Sequence, residues 1–144
     1  MDEQIFSGNL FADDRGYIRF FNDFNEWNQI VRMYQVENRK VDSVRAYHGH
    51  RKETKYVYVV SGAILLVVAT TAGVRGWHVL DSSRPQILKL APDGAQATFH
   101  GFKILEPNTI IQFFSNKTLE ESKSDDFRLN WDIFGGNEWR DKYR

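Results

Sequence analysis

Apolar residues in this chain recur every second position rather than with helical spacing, in short runs broken by Gly, Pro, Asn, Asp and Ser. Alternation of that kind puts every second side chain on one face of a strand. Many such runs, separated by turn residues, predict an all-β barrel or sandwich. Strands are expected at Tyr17–Phe21, Gln29–Glu37, Val44–Tyr47, Lys55–Val60, Ala63–Thr70, Gly76–Leu80, Gln86–Leu90, Thr98–Leu105 and Thr109–Ser115. The run AILLVVA does not alternate. It is apolar on both faces and belongs at the centre of a sheet, covered by a second sheet or a partner subunit. Ser61-Gly62, between YVYVV and AILLVV, reads as a hairpin turn, and Asp93-Gly94 as a second turn. Helical periodicity is almost absent. In NKTLEES, Thr118 and Glu121 make a capping box for a short C-terminal helix, with a polar loop as the alternative. The closing GGNEWRDKYR reads as a surface tail or an arm onto a partner.

Composition narrows the function classes. The 144 residues are expected to form one domain, 1–144, long enough to bury a core without staples. With no cysteine, there is no disulfide, thiolate nucleophile or Cys-bound zinc. Lys+Arg and Asp+Glu balance at 19 each with no basic stripe, a poor footprint for nucleic acid. The longest apolar run is too short to span a bilayer, and MDEQIFSGNL lacks the apolar stretch of a signal peptide. A cytoplasmic location is expected, with no membrane and no nucleic acid as partner. Aromatics reach 15% of the chain and suit a β core, or a pocket that stacks rings.

Two of the four histidines, His48 and His50, stand one residue apart just before the strand-rich centre. In extended chain they share a face. Such a pair can bind a metal with Glu53 and His100, can do acid–base chemistry, or can be plain hydrogen-bonded or surface histidines. Arg45 lies three residues before His48 and suits a phosphate or carboxylate. Lys55 opens the next strand. A base beside an ammonium is the minimum kit for removing a proton next to a carbonyl, the cation stabilising the enolate.

HGHRKETKYVYVVSG resembles the first motif of a cupin, of the sugar-nucleotide epimerase and isomerase branch. DDRGYIRFF, from Asp13 to Phe21, resembles that branch's N-terminal Asp-x-Arg-Gly motif. VRAYHGH resembles its Arg-Gly-x-His motif, with Ala46 in place of Gly. The stretch His100 to Asp132 is similar to the C-terminal half of dTDP-4-dehydrorhamnose 3,5-epimerase-like proteins.

The resemblance implies a cupin double-stranded β-helix, a jelly-roll barrel with a short C-terminal helix, working as a homodimer. The implied substrate is a nucleotide-linked, dTDP-type 4-keto-6-deoxyhexose. Its ketone acidifies the protons on carbons 3 and 5, which are removed and returned to the other face without metal or other cofactor. In that scheme His48 is the base, Asp125 or Asp126 orients it, and Lys55 stabilises the enolate. Arg45 and Arg15 hold the pyrophosphate, Arg15 reaching into the neighbouring subunit's site.

The chain departs from this pattern in two places. IIQFFSN carries Phe113 and Phe114 where the 3,5-epimerases have a proton-donating tyrosine, so inversion at carbon 3 alone is the expectation. Tyr34, Tyr47, Tyr58 or His100 could stand in as donor, and Tyr34, Tyr47 and His100 are candidate substrate contacts. APDGAQATFHGF is longer between Gly94 and His100 than the family loop. The chain also resembles the sister 3,4-ketoisomerases through the His-x-His pair and IVRMYQV. In that reading His50 is catalytic too. Lys55 and the LEESKSDDFRLNWD tail argue against it. A non-catalytic sugar-binding cupin is the remaining alternative.

Overall fold

The computed structural model describes residues 2–92, 94 and 96–140. Two five-stranded antiparallel sheets pack face to face. The first runs β1 (Asp2–Ser7), β9 (Gln86–Ala91), β6 (Lys55–Ser61), β11 (Thr109–Ser115), β4 (Arg32–Asn38). The second runs β12 (Phe127–Arg128), β5 (Val44–His50), β10 (Thr98–Ile104), β7 (Ala63–Thr70), β8 (Gly73–Asp81). A separate hairpin pairs β2 (Asn9–Asp13) with β3 (Gly16–Phe20). The result is the expected jelly roll, with the two sheets left open at their edges rather than closed by hydrogen bonds into a barrel.

Inward residues of both sheets make the main core. Val57, Val59, Leu88, Leu90, Ile111 and Phe113 meet Ile64, Leu66, Val68, Leu80, Phe102 and Ile104. The other face of β7 is apolar for its own reason. Leu65, Val67 and Ala69 pack with Tyr47, Phe99 and Trp139, and with Leu129 and Phe134. Thus AILLVVA is central, flanked by β10 and β8, and its outer face is covered by the chain's own C-terminal segment. The tail expectation is corrected accordingly: Trp139 is a core residue. Residues 141–144 lie outside the described residues.

Ser61-Gly62 does not close a hairpin. β6 pairs with β9 and β11 in one sheet, while β7 pairs with β10 and β8 in the other. The chain turns a corner between sheets there. Gly62 has φ +86°, and a Cβ on it would lie 2.2 Å from Thr109 Oγ1. Of the second turn, Gly94 has φ +84°, whereas Asp93 lies outside the described residues.

β1 and β2 were not expected, because DEQIFS and NLFAD carry few bulky apolar side chains. β1 is recruited as an edge strand through its backbone pairing with β9. The capping box forms as read. Thr118 Oγ1 accepts from the Glu121 amide at 3.2 Å, and Glu121 Oε1 accepts from the Thr118 amide at 3.1 Å, starting α1 (Leu119–Lys123). No helix among the described residues is long and apolar enough to cross a membrane.

Candidate active site

Between the two sheets, at one end of the sandwich, lies a cavity of about 250 Å³ lined by Tyr34, Val36, Arg45, Ala46, His48, His100, Phe102 and Phe113. One wall comes from β5 and β10, the other from β4 and β11. His48 and Arg45 are three apart, so plain alternation would point them to opposite faces. The register shows why they share this wall. His100 pairs with His48 and Phe102 with Arg45, so two steps on β10 span three on β5. This is a β-bulge with the extra residue on β5. Gly101 lies opposite the bulge, where a Cβ would come within 2.4 Å of the Ala46 Cβ.

His50 sits deeper than His48. Its Nδ1 lies 2.7 Å from the Asp125 carbonyl oxygen, an acceptor only, so Nδ1 carries the proton. Nε2 is then a lone pair, buried without a hydrogen-bond partner. His48 is exposed towards the open cavity, and partial desolvation on its wall, assisted by Arg128 and Lys55, lowers its pKa; burial, assisted by Lys55, lowers that of His50. His100 is pushed well below by burial, with Lys55 and His50 adding to it. All three imidazoles are therefore neutral near pH 7, the form a base needs.

The Asp125 carboxylate does not orient His48. Its two oxygens accept the backbone N–H groups of Arg51, Lys52 and Glu53 at 2.8–2.9 Å, which pins the loop between β5 and β6. These bonds hold the carboxyl below the usual range despite its burial. Asp126 pairs with Arg128 at 3.3 Å and touches His48 only through its field. Among the described residues, neither carboxylate is hydrogen-bonded to the His48 ring.

Opposite the histidines, Tyr34 stacks on Phe113, ring centroids 5.0 Å apart and planes at 12°. Its hydroxyl is 2.7 Å from Lys55 Nζ. Lys55 is buried at 5% exposure beneath the lining, so it reaches the cavity through the phenol rather than directly. Behind it lies Glu53, 2% exposed. Glu53 Oε2 accepts from Arg32 Nη2 at 3.2 Å and from Ser115 Oγ at 3.0 Å, and is 3.7 Å from Lys55 Nζ. Glu53 in this role, and Arg32, escaped sequence reasoning. The available signal was alternation: Arg32 and Tyr34 are two apart on β4 and share a face.

The other candidates divide. Arg45 is on the wall, its Nε donating to Asn38 Oδ1 at 2.6 Å. His100 is on the wall beside it, its ring centroid 6.2 Å from that of His50. Tyr47 is a correction. The bulge turns it to the outer face, fully buried against Phe134 and Trp139 and hydrogen-bonded to Glu138, with its hydroxyl pKa raised by burial. It is neither a donor nor a substrate contact in this cavity. Tyr58 packs edge-on against Phe21 in another cluster. Arg15 projects from the β2–β3 hairpin, its side chain 85% exposed and paired with Asp13. Among the described residues, no group of three His, Cys, Asp or Glu side chains is placed to hold a metal ion.

No protein-family model matches the chain, and no curated protein matches it. Solved structures do. A 3'-monoepimerase from Streptomyces bikiniensis, in complex with dTDP-quinovose, superposes with TM-score 0.77 at 16% identity over 99% of this chain and 77% of that one. The dTDP-4-dehydrorhamnose 3,5-epimerase from Bacillus anthracis, with TDP and PPi bound, gives 0.70 at 21% identity over 90% and 79%. A sugar 3,4-ketoisomerase from Thermoanaerobacterium thermosaccharolyticum, in complex with TDP, gives 0.69 at 16% identity over 92% and 90%. At such identities the likeness is one of architecture: the chain has the cupin fold on which both sugar-nucleotide epimerases and 3,4-ketoisomerases are built.

Proposed function

We propose that this chain is an isomerase of nucleotide-linked keto sugars, an epimerase that inverts carbon 3 of a dTDP-linked 4-keto-6-deoxyhexose. The observation that carries this reading is the two-sided cavity. Inversion needs a base on one face of a carbon and a proton donor on the other. Here neutral His48 stands on the β5 wall, and the Tyr34 hydroxyl, tied to Lys55, stands on the β4 wall. His48 takes the proton on carbon 3, and the negative charge moves to the carbonyl oxygen. Tyr34 returns a proton from the opposite face. The phenolate left behind is stabilised by Lys55 and regains its proton from solvent, to which the His48 imidazolium releases the one it took. Phe113 supplies the flat surface on which Tyr34 rests. Arg45 holds the pyrophosphate at the cavity mouth.

The chain works as a homodimer in this reading. The β2–β3 hairpin exposes Phe11, Tyr17 and Ile18, and the free edge strand β4 exposes Met33 at 68%. Covering that apolar surface with a second copy would bring Arg15 to a neighbouring site. Deoxysugar synthesis for polysaccharide, in the cytoplasm, is the setting such a reaction fits.

A 3,4-ketoisomerase is the second reading. The observation favouring it is the unpartnered Nε2 of His50, two residues beyond His48 on β5 and buried just outside the cavity lining, a second base that could serve a neighbouring carbon. Proton NMR with dTDP-4-keto-6-deoxyglucose in deuterium oxide separates the two. Deuterium entering at carbon 3, with an inverted coupling pattern, is the expected result. A carbonyl appearing at carbon 3 instead assigns the ketoisomerase. An unchanged spectrum with tight TDP binding assigns a sugar-binding module.

A further inference from the structure

Glu53 is a buried carboxylate that the reaction scheme above does not use, and its surroundings are unusual. Two cations approach its Oε2, Arg32 at 3.2 Å and Lys55 at 3.7 Å. Its Oε1 makes no hydrogen bond. The nearest imidazole nitrogen, His50 Nδ1, is 3.9 Å away and already donates to the Asp125 carbonyl. So Glu53 does not orient a histidine. Its charge is directed at the cations beneath Tyr34.

The direction of one hydrogen bond depends on that charge. An ammonium has donors and no acceptor. While Lys55 is charged, the 2.7 Å contact must run from Nζ–H to the Tyr34 oxygen, and the phenolic proton is free to point into the cavity. A neutral amine would reverse the bond: the phenol would donate to the nitrogen and the proton would turn away from the substrate. A buried ammonium persists only beside a compensating charge. Glu53 is the carboxylate that touches Lys55. Arg32 lies over the Tyr34 ring, 5.3 Å from its centroid, while Lys55 stands at the hydroxyl itself; both stabilise the phenolate formed on proton donation.

We propose that Glu53 is a positioning residue: through Lys55 it fixes which way the Tyr34 proton points, and so makes Tyr34 the proton donor of the β4 wall. This rests on the epimerase reading. Glu53→Gln keeps the shape and the Ser115 and Arg32 contacts but removes the charge. It should retain deuterium wash-in at carbon 3, with KM within about twofold, because His48 is untouched. It should lose inversion by about 100-fold, the scale of a general acid, so that exchange proceeds with retention. A merely structural Glu53 would depress wash-in and inversion together, or neither.

A second measurement needs no substrate. Thermal unfolding of Glu53→Gln, Lys55→Met and the double variant should be non-additive, the double variant melting above at least one single variant, because it removes both fully buried charges together and leaves only Arg32, which is partly exposed to solvent. Additive melting shifts overturn the proposal whatever the activity. Inversion by Glu53→Gln within threefold of the parent also overturns it. A wild-type protein that neither exchanges nor inverts, together with a non-additive cycle, overturns the epimerase reading and leaves Glu53 as the charge partner of Lys55.

Discussion

Replacing Gly101 by alanine tests whether the bulge on β5 makes the site. A Cβ at position 101 would fall 2.4 Å from the Ala46 Cβ, 3.0 Å from the Ala46 Cα and 3.1 Å from the Arg45 carbonyl oxygen. Carbon atoms rest about 3.5–4.0 Å apart, so β5 must retreat from β10 by roughly 1 Å. Two of the three obstacles are backbone, which cannot swing aside as a side chain could. Overpacking of this kind costs about 2 kcal/mol. At about 2.1 cal/mol/K per residue, a chain of 144 residues has an unfolding entropy near 0.3 kcal/mol/K, so Tm should fall by about 7 °C. The functional loss should be larger than the stability loss implies. The retreat moves Arg45 and His48 relative to Tyr34, and a 1 Å misplacement costs on the order of 100-fold in rate. The assays are calorimetric melting and deuterium exchange measured well below Tm. Gly101→Ala/Ala46→Gly removes the Cβ–Cβ collision and should recover at least half of the Tm drop. A Gly101→Ala protein with unchanged Tm and unchanged exchange would refute the account of the bulge.

Other outcomes follow from single contacts. Asp125→Ala strips the acceptor from three backbone N–H groups and should cost about 3 kcal/mol, or about 10 °C. Because His50 is held by the backbone carbonyl of residue 125, exchange at low temperature should stay within about threefold of the parent; loss of activity without loss of Tm would revive Asp125 as a catalytic partner. His48, His50 and His100 all have folded pKa values below the ordinary 6.5, so the unfolded chain binds protons first. Stability is therefore full above pH 6.5 and declines as pH falls below it; a urea midpoint equal at pH 7.5 and 5.5 would contradict the neutral histidine cluster. Thr118→Ala removes the capping box and should lower stability by about 1 kcal/mol, read as a Tm drop near 3 °C, with no change in exchange rate.

Much of the architecture was legible because it rests on local pattern. Ala63–Thr70 and Thr109–Ser115 stand where alternation and apolar content put them. Thr118 and Glu121 are three apart, and a capping box needs nothing beyond that spacing. What failed was long-range. Ser61-Gly62 has the residues of a hairpin, yet which strands pair across it depends on partners dozens of residues away. The His48–His50 face could be read from a period of two. Arg45 joining that face could not, since a bulge is a register event between β5 and β10. The same event sent Tyr47 outward. Asp125 was expected as a side-chain partner of a histidine; instead its carboxylate serves backbone amides and its carbonyl serves His50. Sequence reveals residue types, whereas the division of labour between a side chain and its own backbone is settled only by packing.

The C-terminal cover over β5 and β7 bears on where this protein can be handled. Tyr47 bonds to Glu138 and packs on Trp139 directly behind the strand that carries His48. A truncation before Trp139, or a bulky fusion joined close to it, would open the outer face of the histidine strand without touching the cavity itself. Among the described residues, the tip of the β2–β3 hairpin, at Asp14 and Arg15, makes no such contact. Reporters and affinity handles belong at that tip for a monomer study, and their effect on exchange there would also report whether a second copy of the chain uses the hairpin.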